Sequence, residues 1–231
     1  MINRVFGPVI VICLSLVAVS AQAAVVAQYN FAGLSGVTTS VSASTVAPNL
    51  LASTIVRGPG LSAASIDNGF NASGWSTGAL DVNDYFGFTL TPNAGFTLNV
   101  NSIEFNEQRS ATGIRDIALR SSLDNFLVNL ATVNVPDDTA NRRQVFTLSP
   151  LFDSITDPIT FRIYGFNAEG GGGTFRLGNG TPNNLLVSGS VTAVPEPSSL
   201  AMLALCGIGG VIYRRKRNRT TTAPSHIARF C

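Results

Sequence analysis

Histidine, cysteine and lysine are almost missing from the part of this chain that has to fold. Of 231 residues one is histidine, His226, near the end; the cysteines are Cys13 and Cys206, inside apolar segments, and Cys231. Residues 24–192 hold none of these, which excludes a His-based triad, a histidine metal site, thiolate chemistry and a disulfide framework there. Charge is scarce too, at 12% of the chain. The net charge of +2 arises in the tail, at Arg214, Arg215, Lys216, Arg217, Arg219 and Arg229. Between Ala24 and Thr192 eight arginines and no lysine face twelve acidic residues, a balance of −4. A mildly acidic stretch has no electrostatic footprint for nucleic acid, so no such partner is expected. Capped helical periodicity and βαβ spacing are absent as well.

The two ends read as addresses. Met1–Arg4 is a short basic start, Val5–Val19 is apolar, and Ala21-Gln22-Ala23 supplies the small residues that signal peptidase needs, so residues 1–23 read as a signal peptide cleaved after Ala23. Gly7-Pro8 interrupts the apolar stretch, which argues against a permanent anchor. At the other end Pro195-Glu196-Pro197 precedes an apolar run, 198–213, and the basic cluster Arg214, Arg215, Lys216 and Arg217. The prolines keep the backbone extended and accessible to a processing enzyme. The run is expected to form a short transmembrane helix, rising roughly 24 Å against a hydrocarbon core of roughly 30 Å, a marginal anchor suited to transient retention. Its arginines should stay cytoplasmic, leaving residues 24–192 outside. Residues 218–231 extend beyond the cluster.

Between the ends, short alternating runs are separated by Gly, Pro, Asn and Asp, the signature of strands. Nine are legible: 25–31, 85–91, 96–105, 114–121, 126–133, 143–148, 159–166, 174–177 and 185–192. Phe86, Phe88 and Leu90 share one face, as do Ile159, Phe161 and Ile163. Thr91–Gly95, Pro136–Asp138 and Glu169–Gly173 read as hairpin turns. Residues 33–49 read as a long loop or weak edge strand. The expected fold is all-β, an antiparallel β-sandwich of jelly-roll type.

Candidate sites are few. Trp75, in Gly74-Trp75-Ser76, and Tyr85 are the aromatics that would form a platform for sugar rings, although a lone tryptophan in a sandwich more usually fills the core. Asp81, Asn83 and Asp84 place oxygen donors at short spacing, the sole calcium candidate; without an EF-hand glycine and terminal glutamate, an Asx turn is the simpler reading and no cofactor is expected. Arg109, Arg115, Arg120, Arg162 and Arg176 fall in or near strands and are expected to line one outer face or pair with Asp116, Asp124 or Glu107. The carboxylates would permit a glycosidase pair only at a separation that sequence does not fix, so a non-catalytic protein is the primary reading and a carbohydrate-active enzyme of the cell surface the alternative.

The order Pro-Glu-Pro, apolar helix, arginine cluster across 193–217 resembles the PEP-CTERM sorting signal, also described as an ice-binding protein C-terminal domain. The resemblance implies recognition by an exosortase-type membrane protease, cleavage near Pro195-Glu196-Pro197, and release to the cell envelope or an exopolysaccharide matrix. Asn93–Val100, Ala118–Asp124 and Phe161–Ala168, with Phe175-Arg176-Leu177, resemble a recurrent domain of PEP-CTERM proteins, which implies a jelly-roll fold and no known chemistry. That domain type often carries aspartate where Gly178 stands. Ice binding would need a regular threonine array, and Thr38, Thr39, Thr89, Thr91 and Thr97 follow no constant period, so the ice-related label belongs to the tail.

Overall fold

The computed structural model describes residues 24–194, of which 24–192 belong to one compact unit. The expected signal peptide, the apolar helix at 198–213, the basic cluster and the extension lie outside the described residues. Among those described, no helix is long and apolar enough to cross a membrane.

Sixteen strands form among the described residues. The first eight are β1 (Ala24–Asn30), β2 (Ser35–Gly36), β3 (Ser40–Val41), β4 (Ala43–Val46), β5 (Leu50–Ala52), β6 (Ile55–Arg57), β7 (Ser62–Ala63) and β8 (Gly69–Ser73). The rest are β9 (Tyr85–Pro92), β10 (Phe96–Arg109), β11 (Asp116–Ser121), β12 (Ala131–Asn134), β13 (Arg142–Thr147), β14 (Ile159–Phe166), β15 (Phe175–Gly178) and β16 (Asn184–Ala193). They build two sheets. Sheet A has nine strands in the order β2-β8-β15-β10-β16-β1-β4, with β13 also beside β10 and β7 beside β8. Sheet B has seven, β12-β11-β14-β9-β6-β3, with β5 beside β9. Described pairings are antiparallel except β2 with β8.

Inside this assembly β1-β16-β10-β13 faces β9-β14-β11-β12, the two four-stranded layers of a jelly roll. The layers are held by rings that meet across the interior: Tyr29 of β1 on Phe88 of β9 (centroids 5.4 Å apart), Phe70 of β8 on Phe86 (5.2 Å), and Phe86 on Phe175 (5.6 Å). All five rings are buried, and each such tilted pair adds about 0.5–1.5 kcal/mol beyond its area term.

All nine expected strands appear, with two revisions. The expected strand at 126–133 starts only at Ala131, because Asn125 (φ 59°) and Phe126 (φ 62°) both take left-handed backbone after a 3₁₀ turn at Ser122–Asp124. Seven further short strands occupy residues 35–73, where a long loop or weak edge was expected over 33–49. The expected hairpins are corrected: the turns at Thr91–Gly95, Pro136–Asp138 and Glu169–Gly173 each carry the chain from sheet B to sheet A. Turn residues specify a reversal of direction, and whether the returning strand pairs or crosses to the other layer is set by long-range packing.

Along β10 the buried face runs Leu98, Val100, then Ile103 and Phe105, so the alternation slips by one residue at Asn101–Ser102. The slip carries Glu107 and Arg109 inward, where both are buried. Arg109 binds Asp137 (3.0 Å) and Glu169 (2.5 Å) and donates to the carbonyls of Ala111 and Gly113. It thereby fastens two of the inter-sheet crossings to β10.

Candidate functional site

The outer face of sheet B carries the site. Tyr85 and Gly87 on β9 pair with Tyr164 and Arg162 on β14, which pair in turn with Ala118 and Arg120 on β11. Residues directly opposite across an antiparallel ladder share a face, so these six residues form one patch. Tyr85 lies down along the sheet instead of standing off it, because Gly87 is bare: a Cβ there would sit 3.0 Å from the Tyr85 ring. The Arg162 guanidinium is held between two rings, 4.1 Å from the Tyr85 centroid and 3.8 Å from that of Phe126, and donates to the Tyr164 hydroxyl (3.3 Å). The left-handed pair Asn125-Phe126 brings the second ring over the strand; Asp124 fixes the loop by accepting from the Leu127 and Val128 N–H groups (3.3 and 2.9 Å). Arg120 completes the row, donating to Asn129 Oδ1 (2.6 Å) and the Phe126 carbonyl (2.9 Å).

Beside this patch runs a groove of about 280 Å³, with Tyr85, Gly87 and Arg162 on its floor and Ser53, Thr89 and Thr160 contributing hydroxyls. The Thr89 and Thr160 hydroxyls bond each other at 2.8 Å. Among the described residues no carboxylate lines the groove. Flat phenol, fixed guanidinium and clustered hydroxyls can stack on one face of a sugar ring and bond its hydroxyls. They offer no acid–base pair.

The other sequence candidates are dispersed. Trp75 is corrected as a platform residue and takes the other of its two readings: it is 2% exposed and belongs to the core. Its ring meets Phe86 and Phe175 edge-on at 5.2 and 5.3 Å, and its Nε1 donates to the Ala72 carbonyl (2.9 Å). Asp81, Asn83 and Asp84 do not converge. Asp81 Oδ1 accepts the Asn83 N–H (2.8 Å), an Asx turn, while buried Asp84 reaches away to the Ser76 N–H (2.9 Å). Burial raises the Asp84 carboxyl above its ordinary range; the Ser76 bond opposes this, and Asp81 reinforces it. Among the described residues no three acid, histidine or cysteine side chains gather as metal ligands.

The five arginines do not share one outer face, the first of the two arrangements open to them. Arg120 and Arg162 lie on sheet B, Arg176 on the outer face of sheet A, and Arg109 points inward. Nor does any of the five pair with Asp116, Asp124 or Glu107. Arg115 joins Arg109 on Glu169 (2.8 Å), and the two guanidinium bonds hold the Glu169 carboxyl below its usual range. Gly87, Phe126, Thr89 and Thr160 escaped the sequence reading. Gly87 and Thr89 follow Tyr85 on its own strand, whereas Thr160 reaches the groove by pairing with Thr89 and Phe126 by the fold of its loop, which no local pattern contains.

Residues 193–217 match the PEP-CTERM protein-sorting motif, which marks the chain for export and sorting to the cell envelope. No curated protein matches the chain. Among solved structures it is similar to a family 29 carbohydrate-binding module from Piromyces equi, at 11% identity and TM-score 0.38, covering 74% of this chain and 93% of that one. A second structure described as a family 29 carbohydrate-binding module is 15% identical at TM-score 0.37, covering 73% and 90%. A mutant family 29 module complexed with cellulohexaose is 16% identical at TM-score 0.36, covering 72% and 90%. Likeness at this level assigns no ligand here.

Proposed function

We propose that this chain is an exported, non-catalytic glycan-binding protein of the cell envelope, whose polysaccharide lies along the Tyr85–Arg162 groove. The observation that carries the reading is the Tyr85 phenol beside bare Gly87, with the Arg162 guanidinium fixed over its ring and a bed of hydroxyls alongside. The absence of carboxylates from the groove lining favours binding over the carbohydrate-active enzyme.

Around that domain, 24–192, the two ends serve delivery. Signal peptidase removes residues 1–23 after Ala23, and the apolar run 198–213 with Arg214, Arg215, Lys216 and Arg217 retains the chain transiently in the inner membrane. An exosortase-type protease then cuts near Pro195-Glu196-Pro197, releasing the domain to the envelope or exopolysaccharide. Intact-mass analysis of protein from the native exporting cell tests this. Loss of both ends is expected, and a tail retained to Cys231 in the membrane fraction refutes the processing step.

The binding claim is tested by electrophoresis of the protein through gels containing polysaccharides, with released sugars measured in parallel. Retention without release is expected, and Tyr85→Ala should weaken it about tenfold, the loss of roughly 1.4 kcal/mol of stacking. Unchanged retention in Tyr85→Ala removes the groove from consideration; sugar release abolished with a carboxylate variant would establish the enzyme instead.

A further inference from the structure

On the opposite side of the sandwich, Asn71 of β8, Arg176 of β15 and Gln108 of β10 stand in one cross-strand row on the outer face of sheet A. They line a pocket of about 300 Å³, to which Ser110, Thr139 and Thr174 also contribute. That is the small end of ligand sites, room for about one sugar ring.

The row is built and buried, and its polar groups are incompletely used. Arg176 is 9% exposed and Asn71 3%. Among the described residues the Arg176 guanidinium has no carboxylate within ion-pair distance; its one acceptor is the neutral Gln108 Oε1, and its Nε has no partner. Gln108 is fixed in that orientation, because its Nε2 donates to the Thr139 carbonyl (2.5 Å) and its Oε1 also accepts from Asn179 Nδ2 (2.9 Å). Asn71 Oδ1 has no donor at all.

The guanidiniums of buried Arg109 and half-buried Arg57 and Arg162 have more support, although the Nε of Arg109 and of Arg162 is also without a partner. Arg109 has two carboxylates and two carbonyls. Arg57 has three carbonyls, and its guanidinium lies 3.8 Å above the Phe70 ring. Arg162 has its two rings. Only Arg176 among these four faces a pocket with a neutral amide as its whole support, and burial lowers its pKa from the ordinary arginine value. An uncompensated buried cation is costly, and a ligand that supplies the missing charge recovers that cost.

We infer that the Asn71–Gln108–Arg176 pocket binds a hydroxylated monocarboxylate, the chemistry of a uronic acid residue in an acidic polysaccharide. The carboxylate meets the Arg176 guanidinium, and a ring hydroxyl donates to Asn71 Oδ1. A neutral sugar supplies the second contact without the first, and a simple carboxylate the first without the second. A doubly charged phosphate ester exceeds the single cation on offer, since Arg109 at the pocket's edge is already neutralised by Asp137 and Glu169. The site is on the other sheet from the Tyr85 groove and stands independently of it.

Calorimetric titration of the purified protein with D-glucuronate, its methyl ester, D-glucose and acetate tests this. Glucuronate should bind at least about tenfold more tightly than each of the other three, the worth of one charge-assisted contact or one satisfied buried acceptor. Arg176→Met should lose that preference. Gln108→Glu, nearly isosteric, places a carboxylate beside Arg176 within the protein and should lose it equally; circular dichroism confirms that both variants fold. Tyr85→Ala should leave glucuronate binding unchanged while weakening polysaccharide retention, which separates failure of this site from failure of the groove. Equal binding of glucuronate and glucose, equal binding of glucuronate and acetate, or undiminished binding in a folded Gln108→Glu variant would each overturn the assignment.

Discussion

Glu107→Gln should make this protein more stable at pH 8 and leave it unchanged near pH 4.5. Glu107 is fully buried on the inward face of β10, opposite Leu177 on one side and Arg142 on the other. Its Oε1 accepts a long bond from Gln144 Nε2 (3.4 Å) and lies 3.9 Å from Arg142, while Oε2 has no partner. Burial therefore dominates and pushes the carboxyl from 4.5 up to about 7; the Gln144 bond and the Arg142 and Arg109 charges oppose it, and Asp138 adds to it. The unfolded chain releases this proton near 4.5 and the folded chain near 7. Folding stability consequently falls as pH rises through that window and is level above it. At roughly 1.4 kcal/mol per pH unit, the ionised group costs the folded state about 3 kcal/mol at pH 8. Glutamine keeps the shape and the Gln144 contact without that charge, and Arg142 retains Asp138 at 2.5 Å. The expected gain in melting temperature at pH 8 is roughly 6–12 °C for a chain of this size. Thermal unfolding of both proteins at pH 4.5 and pH 8 decides it, since every other titrating group cancels in the difference. A gap of the same size at both pH values, or a variant less stable at pH 8, refutes the reasoning.

Three further outcomes follow from the packing. Trp75→Ala should lower stability by about 3–5 kcal/mol in urea unfolding, because the ring fills the space between Phe86 and Phe175 and has no solvent face. Gly165→Ala should cost about 1–3 kcal/mol in the same assay, since its Cβ would stand 2.8 Å from Trp75 Cε3 and 3.0 Å from Ile114. Arg109→Met should cost about 3–5 kcal/mol and loosen the 169–173 crossing, read as faster amide exchange there, because Glu169 and the Ala111 and Gly113 carbonyls lose their shared donor.

The regular strands were legible because alternation is a local property. Phe86, Phe88 and Leu90, or Ile159, Phe161 and Ile163, announce their faces within a few residues, and all six are buried. Residues 35–73 announce nothing. Ser62 and Ala63 of β7 are both exposed, and they take extended form because β8 presents an edge to them. Trp75 shows the same limit at a site. Its neighbours in sequence are glycine and serine and look like surface, yet Gly74 (φ 90°) turns the chain and the indole enters a space left free by Gly165, on another strand. The reason for its burial lies ninety residues away. Tyr85, by contrast, carries its explanation two residues along, in Gly87. The inward turn of Glu107 follows from the slip at Asn101–Ser102, visible in the spacing Leu98, Val100, Ile103, Phe105.

The pairing of the first strand with the last bears on how the domain withstands a pull. β16 is flanked by β10 on one edge and β1 on the other, with Ala24 opposite Gly189, and the Thr97 and Thr192 hydroxyls bond at 2.9 Å near its end. Tension arriving from residue 194 runs along β16 and is shared by two ladders at once, loaded in shear, so many hydrogen bonds must yield together. A pull on the C-terminal end of the domain, such as the proposed tail would exert before it is cut, is thereby borne by a strand secured on both edges.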